Sequence, residues 1–184
     1  MHELGVIHGR FQVLHNDHLK YLLAGKERCN HLVVGITNPE PGLTGDDEAD
    51  PDRSRPEANP FTYYERYRMV NAALLGAGVD SVQFSIVPFP VNFPDRYNYY
   101  VPMDAVFYLT IYDRWGEKKL RMFSDKGLRT EILWRCTQEE KGLSSTMIRG
   151  LIRAGAQWEN LVPEKVVPII QEIISNRSFR FQSN

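Results

Sequence analysis

Apolar positions along this chain fall into two kinds of run. Short unbroken runs occur at 4–7 (LGVI), 31–37 (HLVVGIT), 84–88 (FSIVP), 105–110 (AVFYLT) and 130–134 (TEILW). These are of strand length, and their lack of polar alternation suits a parallel sheet covered on both faces. Between them the apolar residues recur at helical spacing. Leu19, Leu22 and Leu23 mark a helix from His15 or Asn16 to about Cys29. Thr62 and Glu65 form an S/T-x-x-E capping box for a helix over 63–75, which stops at Gly76 and Gly78. A short helix is expected at 118–126, another from Ser144 or Ser145 to Ala154, and a last one at 163–175 with Pro163 in its first turn. The order βαβαβ, loop, βαβ, αα predicts an α/β fold: a Rossmann-like, doubly wound parallel sheet with C-terminal helices.

Two stretches break the pattern. Residues 38–59 are rich in proline and acidic side chains and poor in large apolar ones, which predicts a long mobile loop. Too little chain precedes it to make a separate domain, so residues 1–184 read as a single domain, with 176–184 as a tail. Residues 91–100 form a second loop, rich in Asn, Pro and Tyr. The length of 184 residues allows a sizeable core, and 42% hydrophobic with 24% charged residues is ordinary for a globular chain.

A net charge of −1 supplies no general basic field for nucleic acid. No apolar run approaches the ~18 residues of a membrane span, and the start of the chain does not read as a signal peptide. Two cysteines, Cys29 and Cys136, make no CxxC pair or disulfide framework, which points to a reducing cytoplasm.

Ligands of open α/β sheets bind beyond the carboxyl ends of the strands, and polar clusters fall there. Gly9, Arg10, Phe11 and Gln12 follow the first strand, with His15 and His18 at the start of the next helix. Gly9 permits a sharp turn and a close approach of ligand. The helix start favours an anion, His15 and His18 share a face, and Arg10 adds a forked permanent charge. A metal site is the competing reading, ranked lower because no third ligand stands at metal-site spacing. The second cluster, Ser144, Ser145, Thr146 and Arg149, loads another helix start with hydroxyls that can cradle phosphate oxygens. Either cluster alone is weak, since paired surface histidines and Ser/Thr caps are common. Two such helix starts in one α/β domain predict a triphosphate clamp. A dehydrogenase is disfavoured by the lack of GxGxxG.

GRFQVLHNDHL at 9–19 resembles the GRFQPxHxGH motif of the HxGH-type nucleotidylyltransferases, and LSSTMIRGLI at 143–152 resembles their second signature. NPFTYYERYRMV at 59–70 and WENLVP at 158–163 are similar to segments of the archaeal-type nicotinamide-mononucleotide adenylyltransferases, in the same order. The resemblance spans roughly residues 4–175. It implies transfer of a nucleoside monophosphate, AMP from ATP first of all, to a phosphorylated small-molecule acceptor, with nicotinamide mononucleotide the leading candidate and pyrophosphate released. The alternatives are a cytidylyltransferase, an adenylyltransferase for another phosphorylated acceptor, or a nucleotide-binding sensor without turnover.

By motif, His15 and His18 contact the α- and β-phosphates, Arg149 with Ser145 and Thr146 holds the β- and γ-phosphates, and Arg10 and Gln12 lie at the phosphate end. Mg²⁺ is expected to bridge the phosphates through mostly water and phosphate ligands. Relatives often form homo-oligomers, although no stretch is diagnostic of an interface.

Two residues depart from the first motif. Val13 replaces the motif proline. Asp17 replaces the glycine of HxGH, placing a carboxylate near phosphate. It can point away within the first helical turn, hold Mg²⁺ or a cationic part of the substrate, or mark altered activity; a glycine there is expected to preserve or raise nucleotide affinity. On the acceptor side, Tyr100 is the candidate for stacking on a flat base and Asp113 for pairing with a cationic ring or hydroxyl, unless it is a turn residue. Arg53 or Arg55 is expected to reach the triphosphate if the long loop closes over it.

Overall fold

A computed structural model of the chain describes residues 1–45, 54–137 and 142–177. Five strands, β1 (His2–Gly9), β2 (Cys29–Thr37), β3 (Phe84–Phe89), β4 (Val106–Ile111) and β5 (Arg129–Arg135), alternate with α1 (Asn16–Lys26), α2 (Tyr63–Gly76) and α3 (Arg114–Asp125). Two more helices follow, α4 (Ser145–Arg153) and α5 (Val167–Arg177). The sheet is wholly parallel, in the order β3-β2-β1-β4-β5. The chain winds outward from β1 in one direction and then from β4 in the other, which is the expected doubly wound α/β architecture. Its switch point lies between β1 and β4, where such sheets open a crevice.

Period-two alternation explains why unbroken apolar runs were needed. Ile7, Leu32, Val34, Ile36, Val106 and Tyr108 face a core shared with Leu22 of α1, Met69, Val70, Ala73 and Leu74 of α2, and Ile170 and Ile173 of α5. Their neighbours Val6, Val33, Phe107 and Leu109 face the other way, onto Trp115 and Phe123 of α3 and onto Phe89 and Tyr97. Pro88 lies within β3 but costs no internal ladder, because β3 is an edge strand.

Element boundaries differ from expectation where caps decide them. Helix α3 begins at Arg114, four residues early, because Asp113 caps it: its Oδ1 accepts from the Gly116 N–H at 2.8 Å. Helix α1 stops at Lys26, since Cys29 already opens β2. Helix α5 starts at Val167 after a 3₁₀ turn, Glu164–Val166. Within the expected loop at 38–59, the described parts hold 3₁₀ turns at Pro41–Leu43 and Pro56–Ala58. Arg53 and most of the 176–184 tail lie outside the described residues. Among the described residues no helix is long and apolar enough to cross a membrane.

Candidate active site

The turn after β1 is built around a buried aromatic ring. Phe11 has φ 52°, in the left-handed region, and no exposed surface. Its ring lies on Gly9, where an added Cβ would come within 2.8 Å of Phe11 Cζ. Gly9 is therefore required by packing, and Phe11 supports the loop from below. Gln12 is also buried and engaged: its Nε2 donates to the Phe61 carbonyl, and its Oε1 accepts from the Phe61 N–H, both at 2.9 Å. The side chain read as a phosphate contact thus ties the first loop to the start of α2.

His15 and His18 cap α1 reciprocally. His15 Nδ1 accepts from the His18 N–H, and His18 Nδ1 accepts from the His15 N–H, both at 3.4 Å. The rings stack at 3.7 Å between centroids with 22° between planes, and Phe11 meets His18 edge-on at 5.2 Å. Because both Nδ1 atoms act as acceptors, the neutral rings carry their protons on Nε2. Two parallel imidazoles at a helix N-terminus then present two N–H donors suited to phosphate oxygens. Among the described residues no group of three His, Cys, Asp or Glu is placed to hold a metal ion.

The second cluster docks onto the first. Ser145 Oγ donates to the Val13 carbonyl at 2.9 Å, and Arg149 donates to the Gln12 carbonyl and, at 3.2 Å, to Thr146 Oγ1. Ser144 is the N-cap of α4, its hydroxyl accepting from the Met147 N–H. Arg149 is buried, and burial, followed by the nearby Arg153, lowers its pKa. Both predicted clusters therefore meet beyond the carboxyl end of β1. Asp17 takes part in the junction: its Oδ2 accepts from the Leu143 N–H at 2.6 Å. An added Cβ on Gly142 would meet that oxygen at 2.4 Å, so the acid and the glycine fit together. The Asp17 carboxylate is thus taken up by the loop that leads into α4, a partner that none of the three readings named.

On the acceptor side, Asp113 is the α3 N-cap described above. Tyr100 is half-buried and packed against the second core cluster, while Tyr97 beside it is fully buried and donates to the Val91 carbonyl at 2.6 Å. Arg55 is exposed and precedes a 3₁₀ turn. Neither Tyr100, Asp113 nor Arg55 lines the pocket that opens beyond β1 and β2. That pocket, of about 30 Å³, is walled by His8, Arg10, Asn38, Asn92, Trp115 and Lys119 among others.

Apart from Arg10, these residues escaped the sequence reading. His8 is the penultimate strand residue, and Trp115 and Lys119 belong to a first helical turn and a half whose start was placed too late. A correct N-cap at Asp113 would have found them. Arg66, within the 59–70 segment, carries no sequence signal of its own. It is buried and donates to the carbonyls of Arg10, Thr37, Asn38 and Thr62 at 2.7–3.2 Å. It thereby fixes the ends of β1 and β2 that form one side of the pocket. Burial pulls its pKa down to about 10, so it stays charged at neutral pH.

Residues 6–151 match a family model described as cytidylyltransferase-like. The chain is 53% identical over 168 residues to the phosphonoformate cytidylyltransferase of Streptomyces viridochromogenes, covering 91% of this chain and 90% of that protein. It is 29% identical over 177 residues to the nicotinamide-nucleotide adenylyltransferase of Saccharolobus solfataricus, covering 96% and 94% of the two chains. With the Pyrococcus horikoshii enzyme of the same name it shares 30% over 170 residues, covering 92% and 83%. A bifunctional NMN adenylyltransferase/ADP-ribose pyrophosphatase of Francisella tularensis superposes with a TM-score of 0.62 at 13% identity, over 97% of this chain and 54% of that one. This last likeness is one of fold.

Proposed function

The chain belongs to the cytidylyltransferase-like family and is a nucleotidylyltransferase, and within that family we propose that it transfers CMP from CTP to a small phosphonate, phosphonoformate in the first instance. The observation that carries this reading is the 53% identity to a phosphonoformate cytidylyltransferase over nine-tenths of both chains, against 29–30% to nicotinamide-nucleotide adenylyltransferases. ATP and nicotinamide mononucleotide, first in line by motif resemblance, become the second reading. The phosphate motifs are shared by both, so they do not choose between them.

In the proposed reaction a phosphonate oxygen attacks the α-phosphorus of CTP in line. The bond from that phosphorus to the α–β bridging oxygen breaks, and pyrophosphate leaves with the electron pair. Positioning and charge stabilisation supply the acceleration, with no covalent enzyme intermediate. The Nε2–H groups of His15 and His18 donate to α- and β-phosphate oxygens, and His18 stabilises the charge that develops there. Arg149, which gives two of its five N–H donors to partners among the described residues, holds the outer phosphates with Ser145, Thr146 and the α4 helix start. Mg²⁺ enters as part of the nucleotide substrate, ligated mainly by phosphate and water.

Incubating the protein with Mg²⁺, CTP and phosphonoformate and weighing the products by mass spectrometry tests this reading. A CMP–phosphonoformate conjugate formed in step with pyrophosphate is expected. Turnover with ATP and nicotinamide mononucleotide but none with CTP would replace the reading by its alternative.

A further inference from the structure

We propose that Arg177, in the last turn of α5, is a positioning residue for the phosphate clamp, acting on Arg149 through residues 60–65 and Gln12. This rests on the phosphate-clamp reading above and deepens it by naming what holds the clamp's arginine in place.

A continuous set of contacts joins the two arginines. Arg177 donates from Nη1 to the Pro60 carbonyl at 2.5 Å and from Nη2 to the Glu65 carboxylate. Its guanidinium carbon also lies 5.8 Å from the centre of the Phe61 ring, within cation–π range. Glu65 in turn caps α2, its Oε2 accepting from the Thr62 N–H at 2.8 Å. One side chain of α5 thus grips the chain on either side of Phe61 and the ring of Phe61 itself. The Phe61 backbone holds the Gln12 amide at both its oxygen and its nitrogen, and the Gln12 carbonyl accepts from Arg149 Nη1.

Each contact leaves little freedom to the next. A two-point bond fixes the rotation of the Gln12 amide as well as its place. Gln12 is 1% exposed and Phe61 5%, so water cannot stand in for either bond. Of the partners that Arg149 has among the described residues, Thr146 belongs to the same helix. The Gln12 carbonyl is the one that sets the guanidinium against the first cluster.

The outer end is firm as well. The Arg177 and Glu65 side chains are each 18% exposed, so salt screens the pair less than one in open solvent. Arg68 and Glu172 form another ion pair between α2 and α5, but Glu172 is half exposed and the pair touches nothing on the path to Gln12. It supplies an internal control.

Spatial continuity alone does not prove coupling, whereas a double-mutant cycle measures it. The test is calorimetric titration of the full chain with inorganic tripolyphosphate, which carries neither base nor acceptor, at a temperature where thermal melts show every variant folded. Arg177→Met is expected to raise Kd about three- to tenfold. Arg177→Lys, with one prong in place of a fork, is expected to fall between it and wild type. Arg68→Met is expected to stay within about twofold of wild type. Gln12→Met keeps the side-chain volume but removes both amide bonds. On that background Arg177→Met is expected to add less than about twofold, because the path to Arg149 is already cut.

An unchanged Kd in Arg177→Met would overturn the proposal, and so would an effect undiminished on the Gln12→Met background. If Gln12→Met does not fold, the two arginine variants decide, and equal shifts in Arg177→Met and Arg68→Met would overturn the proposal. Wild type that does not bind tripolyphosphate would refute the clamp itself and this brace with it. Base and acceptor do not enter the titration, so failure of the cytidylyl reading alone leaves these outcomes as they stand.

Discussion

Asp17 shows how far a single motif residue can mislead when read by charge alone. Placed in the motif it is a carboxylate beside phosphate; placed in the fold it is the acceptor for the Leu143 N–H across a 2.6 Å bond. It therefore joins the two halves of the clamp, which sequence separates by 126 residues. Replacing it with glycine removes this bond and adds a flexible residue to the first turn of α1, a loss of about 1–2 kcal/mol. Asp17→Gly is thus expected to raise KM for the nucleotide, by up to about five- to thirtyfold if the whole loss falls on binding, contrary to the expectation drawn from the motif. Asp17→Asn, whose amide oxygen still accepts, is expected to stay near wild type. Steady-state kinetics on the pair checks this, and a glycine variant that binds nucleotide more tightly would contradict it.

In the proposed reaction His18 is the residue on which chemistry depends most. His18→Ala is expected to lower kcat by about 10²–10³-fold, the range for loss of one transition-state donor. It also removes one half of the histidine capping box, so a thermal melt must accompany the kinetics; the cap accounts for about 1 kcal/mol at most.

At the scale of elements, caps and buried braces decide where the site's walls stand. Asp113 reads equally well as ligand contact or turn residue in one dimension, but its carboxylate starts α3 and so sets the phase of Trp115 and Lys119. Asp113→Ala is expected to destabilise by about 1 kcal/mol, a Tm decrease of roughly 2–4 °C, measured by calorimetry. Arg66 has a larger task, since one guanidinium reaches four carbonyls on three segments. Lysine keeps the charge but cannot span that fork. Arg66→Lys is expected to cost about 2–4 kcal/mol and to lower kcat/KM for both substrates through the ends of β1 and β2. Equal stability by urea titration would show that the fork is dispensable.

Strands and helices were legible because each carries a periodic apolar pattern or a cap chemistry that acts locally. The walls of the pocket were not. His8, Asn92 and Lys119 come from three separate segments, and only the parallel order β3-β2-β1-β4-β5 brings them together. The roles of Phe11 and Gln12 were hidden for the same reason. Their partners, the surface of Gly9 and the backbone of Phe61, depend on how the loop folds back rather than on residue type.

For the whole molecule, the doubly wound sheet places the starts of α1 and α4 side by side, and the docking bonds Ser145–Val13, Arg149–Gln12 and Asp17–Leu143 hold them there. On the proposed reading, that architecture supplies the phosphate site and leaves base and acceptor to be chosen at its margins. Fold likeness at 13% identity does not make this choice, whereas 53% identity over nine-tenths of both chains supports the proposed cytidylyl transfer to a small phosphonate.

The most direct test is therefore a comparison of kcat/KM for two substrate pairs on one preparation with Mg²⁺: CTP with phosphonoformate, and ATP with nicotinamide mononucleotide, each followed by pyrophosphate release. The account predicts that the cytidine pair wins by at least about 10²-fold, a margin within reach of a site that pairs or strands buried polar groups. A higher kcat/KM for the adenine pair would contradict it.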